Sequence, residues 1–343
     1  MTTLRVGLVG YYGWGNYGDE FFKDVLETEL KDCRFRVLHD LGPKGELILD
    51  NLQANIADVD VIMIGGGDLV IPFSLSTLYW RPEFLAKPVV IYGVGVPKWG
   101  GYNADVVLKM REFFQHPSVK KITARDQESA EWISQHLKPT APVECAPDIV
   151  CAYTHEYVAP RDRTFGVVLR HQQNGVSQEK TRALLDAVRA RGFHPRLLML
   201  ATGRTLADDF DTVARLDLGN ADIVIRDNLA SLTDELISCD RVASMKFHGC
   251  VVAMTHGVPC LALSSANKFK NFYAELGKQA WVSSLADAAL ETKLDAFLDA
   301  PRMAFPPSIR EHAREGLAAL RQDLGDAAGG TVKHARGERA VGH

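Results

Sequence analysis

The segment RVASMKFHGCVVAMTHGVPCLAL, Arg241 to Leu263, decides the fold of the second half of the chain. Its pattern predicts a short strand at 241–244, a helix over 249–255, a corner at Gly257-Val258-Pro259 and a buried strand at 260–263. A strand, a crossover helix and a second strand form the repeating unit of a parallel sheet. The segment therefore indicates an α/β fold.

Two basic side chains fall where this helix should begin. Lys246 and His248 precede the apolar run that starts at Gly249. A helix start leaves backbone N–H groups unpaired and carries the positive end of the macrodipole, so it favours an anion. The sequence thus predicts an anion site. The alternative, which stays open at this point, is that His248 caps the helix or packs in the core.

Composition bounds the class of protein. The chain has 343 residues, 46% hydrophobic and 24% charged, with 39 basic and 43 acidic residues. This length is typical of two domains, and the near-neutral charge gives no indication of nucleic-acid binding. Three of the six cysteines, Cys239, Cys250 and Cys260, lie in or beside apolar runs and read as reduced core thiols; no zinc spacing is present.

In the first half, short apolar runs alternate with helical segments, and the runs end in glycine or charge. The first run, Leu4–Val9, leads into a glycine-rich turn with Gly15, Asn16 and Asp19, whose spacing gives only weak support for dinucleotide binding. Later runs end in Gly65-Gly66-Gly67-Asp68, Gly93-Val94-Gly95 and Ala124-Arg125-Asp126. Since parallel strands end at one sheet edge, these residues predict a ligand-facing edge.

The second half repeats the alternation after a polar, proline-containing linker. We therefore predict two Rossmann-like domains facing one another across a cleft, a GT-B-like arrangement, at residues 1–155 and 160–324. Residues 325–343 have little apolar content and predict a disordered tail.

Four cationic or titratable side chains are expected at element ends of the second domain: Arg170, Lys246, His248 and Lys268. Together they describe a site for a small, multiply charged ligand. The sequence contains no nucleophile elbow, no H-E-x-x-H and no Walker loop, and it implies no metal or cofactor. The interpretation that remains for this site is acid–base and electrostatic catalysis on a phosphorylated small molecule.

A series of motifs resembles the polysaccharide pyruvyl transferase family, in matching order from about Val6 to Gly277. They are GYYGWGNYGDEFF, IGGGDLV, YGVGVP, TARDQESAEWI, APDIV, VVLR and SMKFHGCVVAMTHGVPCLALSSANKFKNFYAELG. The resemblance implies a GT-B-like transferase that moves a pyruvyl group from phosphoenolpyruvate, as co-substrate, to sugar hydroxyls of a polysaccharide, such as an exopolysaccharide, or of a lipid-linked glycan precursor. The product would be a pyruvate ketal.

The resemblance also implies residue roles. His248 would be the general acid or the partner of the departing phosphate, and Arg170, Lys246, Lys268 and Gly249 would form the donor pocket. The acceptor side would carry Gly15, Asn16, Asp19, Gly66, Gly67, Asp68 and Arg125. One departure stands out, because Lys246 replaces the arginine more usual in the family, and lysine holds an anion only as a point charge.

Two other functions stay open at this point. A GT-B glycosyltransferase with a nucleotide-sugar donor commonly has a carboxylate downstream of the helix start, whereas residues 247–274 contain no Asp or Glu. A non-catalytic glycan-binding protein of the same fold is the second alternative.

The chain shows no signal peptide and no run of the ~20 apolar residues that a membrane span needs. A cytoplasmic location follows as an expectation, with attachment to the inner membrane face and the oligomeric state left open.

Overall fold

The structure is a computed structural model that describes residues 3–172, 175–216, 218–219 and 221–337, with side chains as far as residue 329. Its strands are β1 Leu4–Val9, β2 Cys33–Val37, β3 Asp40–Leu41, β4 Leu47–Ile48, β5 Val61–Gly67, β6 Val89–Val94, β7 Val119–Ala124, β8 Val143–Cys145, β9 Thr164–Val168, β10 His194–Leu198, β11 Asp222–Val224, β12 Arg241–Ser244 and β13 Cys260–Ala262.

The α-helices follow the strands as crossovers, as parallel pairing requires. They are α1 Tyr17–Glu29, α2 Leu52–Ala57, α3 Ala104–Phe114, α4 Gln127–His136, α5 Gln178–Ala190, α6 Gly203–Ala214, α7 Leu229–Ile237, α8 Phe247–Thr255, α9 Asn267–Glu275, α10 Leu290–Leu298 and α11 Pro307–Gly337.

The chain divides into two compact units. The first contains residues 1–12, 22–149 and 311–343, and the second contains residues 13–21 and 150–310. Two segments thus fall outside the continuous division expected from the sequence. The glycine-rich turn and the start of α1 belong to the second unit, and most of α11 belongs to the first.

The first unit is built on a six-stranded sheet in the order β2-β1-β5-β6-β7-β8. All neighbouring strands in it are parallel. The central strands β5 and β6 are covered on both faces, so nearly every residue in them is buried and the sequence reads as a continuous apolar run. Their carboxyl ends meet at one sheet edge, as predicted.

The second unit has a five-stranded parallel sheet in the order β11-β10-β9-β12-β13. Its core combines sheet residues such as Phe165 and Leu261 with helix residues such as Leu185 and Phe297. Cys239, Cys250 and Cys260 are buried free thiols in this unit, which confirms their assignment to the core. The prediction of two Rossmann-like α/β domains with parallel sheets is confirmed.

The end of the chain differs from the expected tail. Helix α11 continues to Gly337, beyond the Leu324 boundary that composition suggested. The helix buries Ala313, Leu317, Leu320 and Leu324 at helical spacing. Ala327 and Ala328 extend this buried stripe, and alanine is the strongest helix former. Residues 338–343 of the expected tail lie outside the described residues.

Candidate active site in the second unit

The site is organised by the tight turn from β12 into α8. The Ser244 hydroxyl accepts a hydrogen bond from the Lys246 backbone N–H (3.1 Å) and donates one to the Lys246 carbonyl (2.8 Å). A Cβ on Gly249 would lie 2.5 Å from the Ser244 Oγ, so glycine is required for helix and turn to approach this closely. Gly249, predicted to bind the donor, is buried and has this packing role.

His248 is the residue that α8 leaves accessible. All other residues of this helix, which the structure describes in full, are buried, whereas His248 is half-buried. Its ring lies against the backbone of Gly18. A Cβ added to Gly18 would come within 1.9 Å of the imidazole Nδ1, which shows how close the contact is. The alternative of a fully buried core histidine therefore does not apply.

The segment around Gly18 is fixed to the second unit by backbone contacts. The Thr202 N–H donates to the Gly15 carbonyl (2.8 Å), and the Thr205 N–H donates to the Trp14 carbonyl (3.0 Å). Gly15 has a φ of +81°, and a Cβ there would lie 2.0 Å from the Thr202 carbonyl oxygen. The conformation and the close approach explain the glycine without a ligand.

The two amides at this turn are already bonded to an anion of the protein. The Gly13 and Gly15 N–H groups donate to the Glu20 carboxylate at 2.6 and 3.0 Å. A phosphate cradle of the dinucleotide-binding type would need these amides for the ligand. The glycine-rich turn thus serves to place the start of α1.

Asp19 follows Gly18 and faces the same neighbourhood. It is buried, and its carboxylate accepts a hydrogen bond from the Asn16 side-chain amide. Burial raises the pKa of Asp19 to about 6, while the positive charges of His248 and Lys268 and the Asn16 hydrogen bond oppose the rise. Asn16 and Asp19, expected on the acceptor side of the first domain, thus lie in the second unit beside His248.

Lys268 reaches the cluster from α9. Its Nζ lies 5.6 Å from the centre of the Phe247 ring, a cation–π distance. Phe247 in turn packs edge-to-face on Phe269 and Phe272, at 5.5 and 5.7 Å between ring centres. An apolar support therefore holds the ammonium group where its charge acts on Asp19.

Lys246 has a partner inside the protein. Its buried ammonium forms an ion pair with Asp209 (2.5 Å) and donates to the Leu200 carbonyl (2.8 Å). The second Asp209 oxygen accepts the His171 backbone N–H (2.7 Å). Burial lowers the pKa of Lys246, Asp209 opposes this, and the charge of the exposed Arg170 adds to the lowering. The charge of Lys246 is thus largely balanced by Asp209.

The remaining predicted residues belong to the first unit. Asp68 forms an ion pair with Arg125, whose side chain is buried. Gly66 and Gly67 have φ values of +74° and +99° at the end of β5, and a Cβ on Gly66 would press on the Phe22 ring at 3.1 Å. These four residues form a separate group at the carboxyl edge of the first sheet.

Two residues of the candidate site, Gly18 and Asp209, could not be identified from the sequence. Gly18 was visible only as one of several turn glycines, and its contact with His248 joins residues far apart in the chain. Asp209 lies on α6, a helix that the sequence did not predict. A buried ion-pair partner such as Asp209 can be recognised in a sequence only when the helix that carries it has been predicted.

Over the described residues, no grouping of three or more His, Cys, Asp or Glu side chains suits a metal ion. Within the same part of the chain, no helix combines the length and the apolar character that a bilayer crossing requires.

Solved structures share the fold. UDP-N-acetylglucosamine 2-epimerase from Methanocaldococcus jannaschii, in complex with UDP-GlcNAc and UDP, aligns with a TM-score of 0.57 at 9% identity, covering 93% of this chain and 98% of that one. The putative enzyme of that name from Listeria monocytogenes aligns at 0.57 and 11%, covering 95% and 98%. The one from Rickettsia bellii aligns at 0.57 and 10%, covering 95% and 97%. The alignments cover both units and confirm the GT-B-like fold.

A search of curated proteins gives no significant match. The family model of polysaccharide pyruvyl transferases matches residues 16–267, most of the chain, from Asn16 in the glycine-rich turn through Arg170 and the β12–α8 turn to the first residue of α9. The chain therefore belongs to the polysaccharide pyruvyl transferase family, a family of transferases.

Proposed function

We propose that the protein transfers a pyruvyl group from phosphoenolpyruvate to two hydroxyls of a glycan and forms a pyruvate ketal. The observation that carries the proposal is the convergence of His248, Asp19 and Lys268 at the accessible start of α8. A carboxylate and a phosphate on three carbons need several positive groups within a small space, and Lys268 of this cluster together with Arg170, whose charge acts on Lys246 at the same helix start, would supply them beside His248 and Asp19.

The reaction needs a proton on the enol carbon. Protonation of C3 gives an oxocarbenium-like centre at C2, and a sugar hydroxyl adds there and gives up its proton. The phosphate leaves from C2, and the second hydroxyl closes the ketal with loss of its proton. The overall change converts phosphoenolpyruvate and a diol into a ketal and inorganic phosphate.

His248 is the residue we assign to proton delivery or to the departing phosphate. Its imidazole lies against Gly18 at the positive end of α8 and is half-buried. Asp19 would stabilise the imidazolium form and hold its orientation. With a pKa near 6, Asp19 can also exchange a proton near neutral pH.

Arg170 and Lys268 are the cations we assign to the donor's carboxylate and phosphate. Arg170 is exposed, and Lys268 is half-buried, so both can meet a ligand. Lys246 is better suited to a positioning role, because Asp209 already neutralises it and burial restricts it. With these roles, Arg170 would make the planar two-pronged contact with an anion that a lysine cannot make.

The fold likeness to enzymes solved with UDP keeps a nucleotide-sugar glycosyltransferase as the second candidate function. The absence of Asp and Glu from residues 247–274 disfavours a ribose-binding carboxylate there. The presence of Lys268 in that span favours a donor with a phosphate and a carboxylate.

His248→Ala tests the assignment. Loss of the proton-transfer group should lower turnover by about 10²–10⁴-fold, measured as phosphate released from phosphoenolpyruvate in the presence of a glycan acceptor. The melting temperature should stay within about 2 °C of the wild type, because the ring is only half-buried. His194→Ala, at an exposed strand position, is the matched control. Wild-type turnover in His248→Ala would refute the role.

A further inference from the structure

The first unit has two highly exposed aromatic rings in one loop. Trp99 and Tyr102 lie in residues 95–103, which follow β6. Trp99 is 76% exposed and Tyr102 is 57% exposed. Large aromatic side chains normally lose most of their surface on folding, so two in one short loop need an explanation.

Each exposed ring is supported from beneath by another ring. Trp99 packs edge-on against Phe73, from the loop after β5, with 4.8 Å between ring centres. Tyr102 lies 6.1 Å from His136, which itself stacks on Trp132 at 4.5 Å and 10°. The rings are therefore oriented by contacts on one side while the other side meets solvent.

The loop backbone is shaped around these contacts. A Cβ on Gly100 would lie 2.3 Å from the Phe73 Cζ, so glycine is needed for Phe73 to reach the loop. The Asn103 N–H donates to the Pro72 carbonyl (2.9 Å), and the Gly101 N–H donates to the Lys98 carbonyl (3.5 Å). The two rings are thus held in a fixed turn between two anchored ends.

The loop adjoins the polar residues predicted to face an acceptor. Gly95, its first residue, lies against the Arg125 guanidinium, since a Cβ there would come within 2.4 Å of Nη2. Arg125 is paired with Asp68. Lys98 of the same loop forms a half-exposed ion pair with Glu128 (2.6 Å). Flat apolar rings bordered by charged and hydrogen-bonding groups are the usual composition of a carbohydrate site.

We propose that Trp99 and Tyr102 form an acceptor platform, on which sugar rings of the glycan stack through their C–H faces. The two side chains are three positions apart in the chain, so their Cα atoms lie at most about 11 Å apart, a span suited to a short oligosaccharide. The proposal rests on the glycan acceptor in the proposed function, and it does not depend on the identity of the donor.

The test measures binding of the full chain to an array of linear oligosaccharides of glucose, galactose, mannose and N-acetylglucosamine. The wild type should bind at least one of them, and Trp99→Ala and Tyr102→Ala should each weaken that binding at least tenfold. Trp99→Phe should retain most of it. Tyr157→Ala, which removes an 86% exposed ring of the second unit, should match the wild type and is the control.

Two outcomes would overturn the platform on the array: unchanged affinity in Trp99→Ala, or no glycan bound by the wild type. Co-sedimentation with vesicles of phosphatidylcholine and phosphatidylglycerol (3:1) tests a membrane surface instead. Vesicle binding lost in Trp99→Ala, without glycan binding, would also overturn the proposal.

Phosphoenolpyruvate binding separates this proposal from the donor assignment. Its effect on the melting temperature should be the same in Trp99→Ala and the wild type. If phosphoenolpyruvate fails to bind either protein while glycan binding still depends on Trp99, the donor assignment fails and the platform stands.

Discussion

At the scale of single residues, the candidate site depends on a contact between Gly18 and His248 that neither residue reveals alone. The sequence indicated His248 through its place at a helix start, and the same reasoning indicated Lys246. Lys246 proved to be engaged by Asp209 inside the protein. Position along a helix therefore predicted where basic groups lie but not which of them remain available to a ligand.

Gly18→Ala should disable the site through sterics. The added Cβ would overlap the imidazole Nδ1 at 1.9 Å, so the His248 ring must leave its position against Gly18. We expect phosphate release from phosphoenolpyruvate with acceptor to fall at least tenfold. Gly325→Ala, on α11 with nothing within 4 Å of the new Cβ, is the matched control and should keep full turnover. Full turnover in Gly18→Ala would show that the contact has no catalytic consequence.

Asp19→Asn should separate stability from activity. Because burial raises the folded-state pKa of Asp19 from 3.8 to about 6, the folded protein binds this proton more tightly than the unfolded chain. The favourable contribution of Asp19 is present below pH 3.8 and is lost as pH rises through about 6. At pH 7 the charged carboxylate therefore destabilises the fold, by up to about 3 kcal/mol.

The measurement is urea unfolding of both proteins across this pH range. Asp19→Asn should be more stable than the wild type at pH 7, the difference should shrink as pH falls towards 4, and turnover should drop. Equal stability at all pH values would contradict the buried, ionisable Asp19.

At the scale of elements, apolar runs predicted most strands well because buried parallel strands have no polar face to obscure the pattern. Both β1 and β12 begin and end where the sequence indicated. Three α-helices were missed, namely the short α2, α3 and α6. Helix α6 (GRTLADDFDTVA) starts at a glycine and carries three Asp residues, which are poor helix formers, and it was overlooked although Leu206, Phe210 and Val213 recur at helical spacing. Helix α3 was overlooked despite a well-formed Asn103 cap.

The Lys246–Asp209 pair joins α6 to the start of α8, and its removal tests that link. Lys246→Met leaves Asp209 buried without its counter-charge, which should cost about 3–5 kcal/mol in the free energy of unfolding. Lys246→Met combined with Asp209→Asn should recover part of this loss. Urea unfolding of the two single variants and the double variant forms the cycle. A Lys246→Met protein as stable as the wild type would contradict the pair.

At the scale of the whole molecule, the alternation of strands and helices predicted two parallel α/β units, and the ordered motifs predicted the family. Composition could not show that residues 13–21 cluster with the second unit, because that grouping comes from contacts such as Thr202 with Gly15. For the same reason Asn16 and Asp19 could not be assigned to the second unit from the sequence.

Ligand binding by the intact protein tests the central claim most directly. Isothermal titration of phosphoenolpyruvate and, separately, of uridine diphosphate compares the two donor classes on the wild type and on Arg170→Ala. We predict saturable binding of phosphoenolpyruvate, at least tenfold weaker in Arg170→Ala, and no binding of uridine diphosphate. Binding of uridine diphosphate without binding of phosphoenolpyruvate would contradict it and favour a glycosyltransferase.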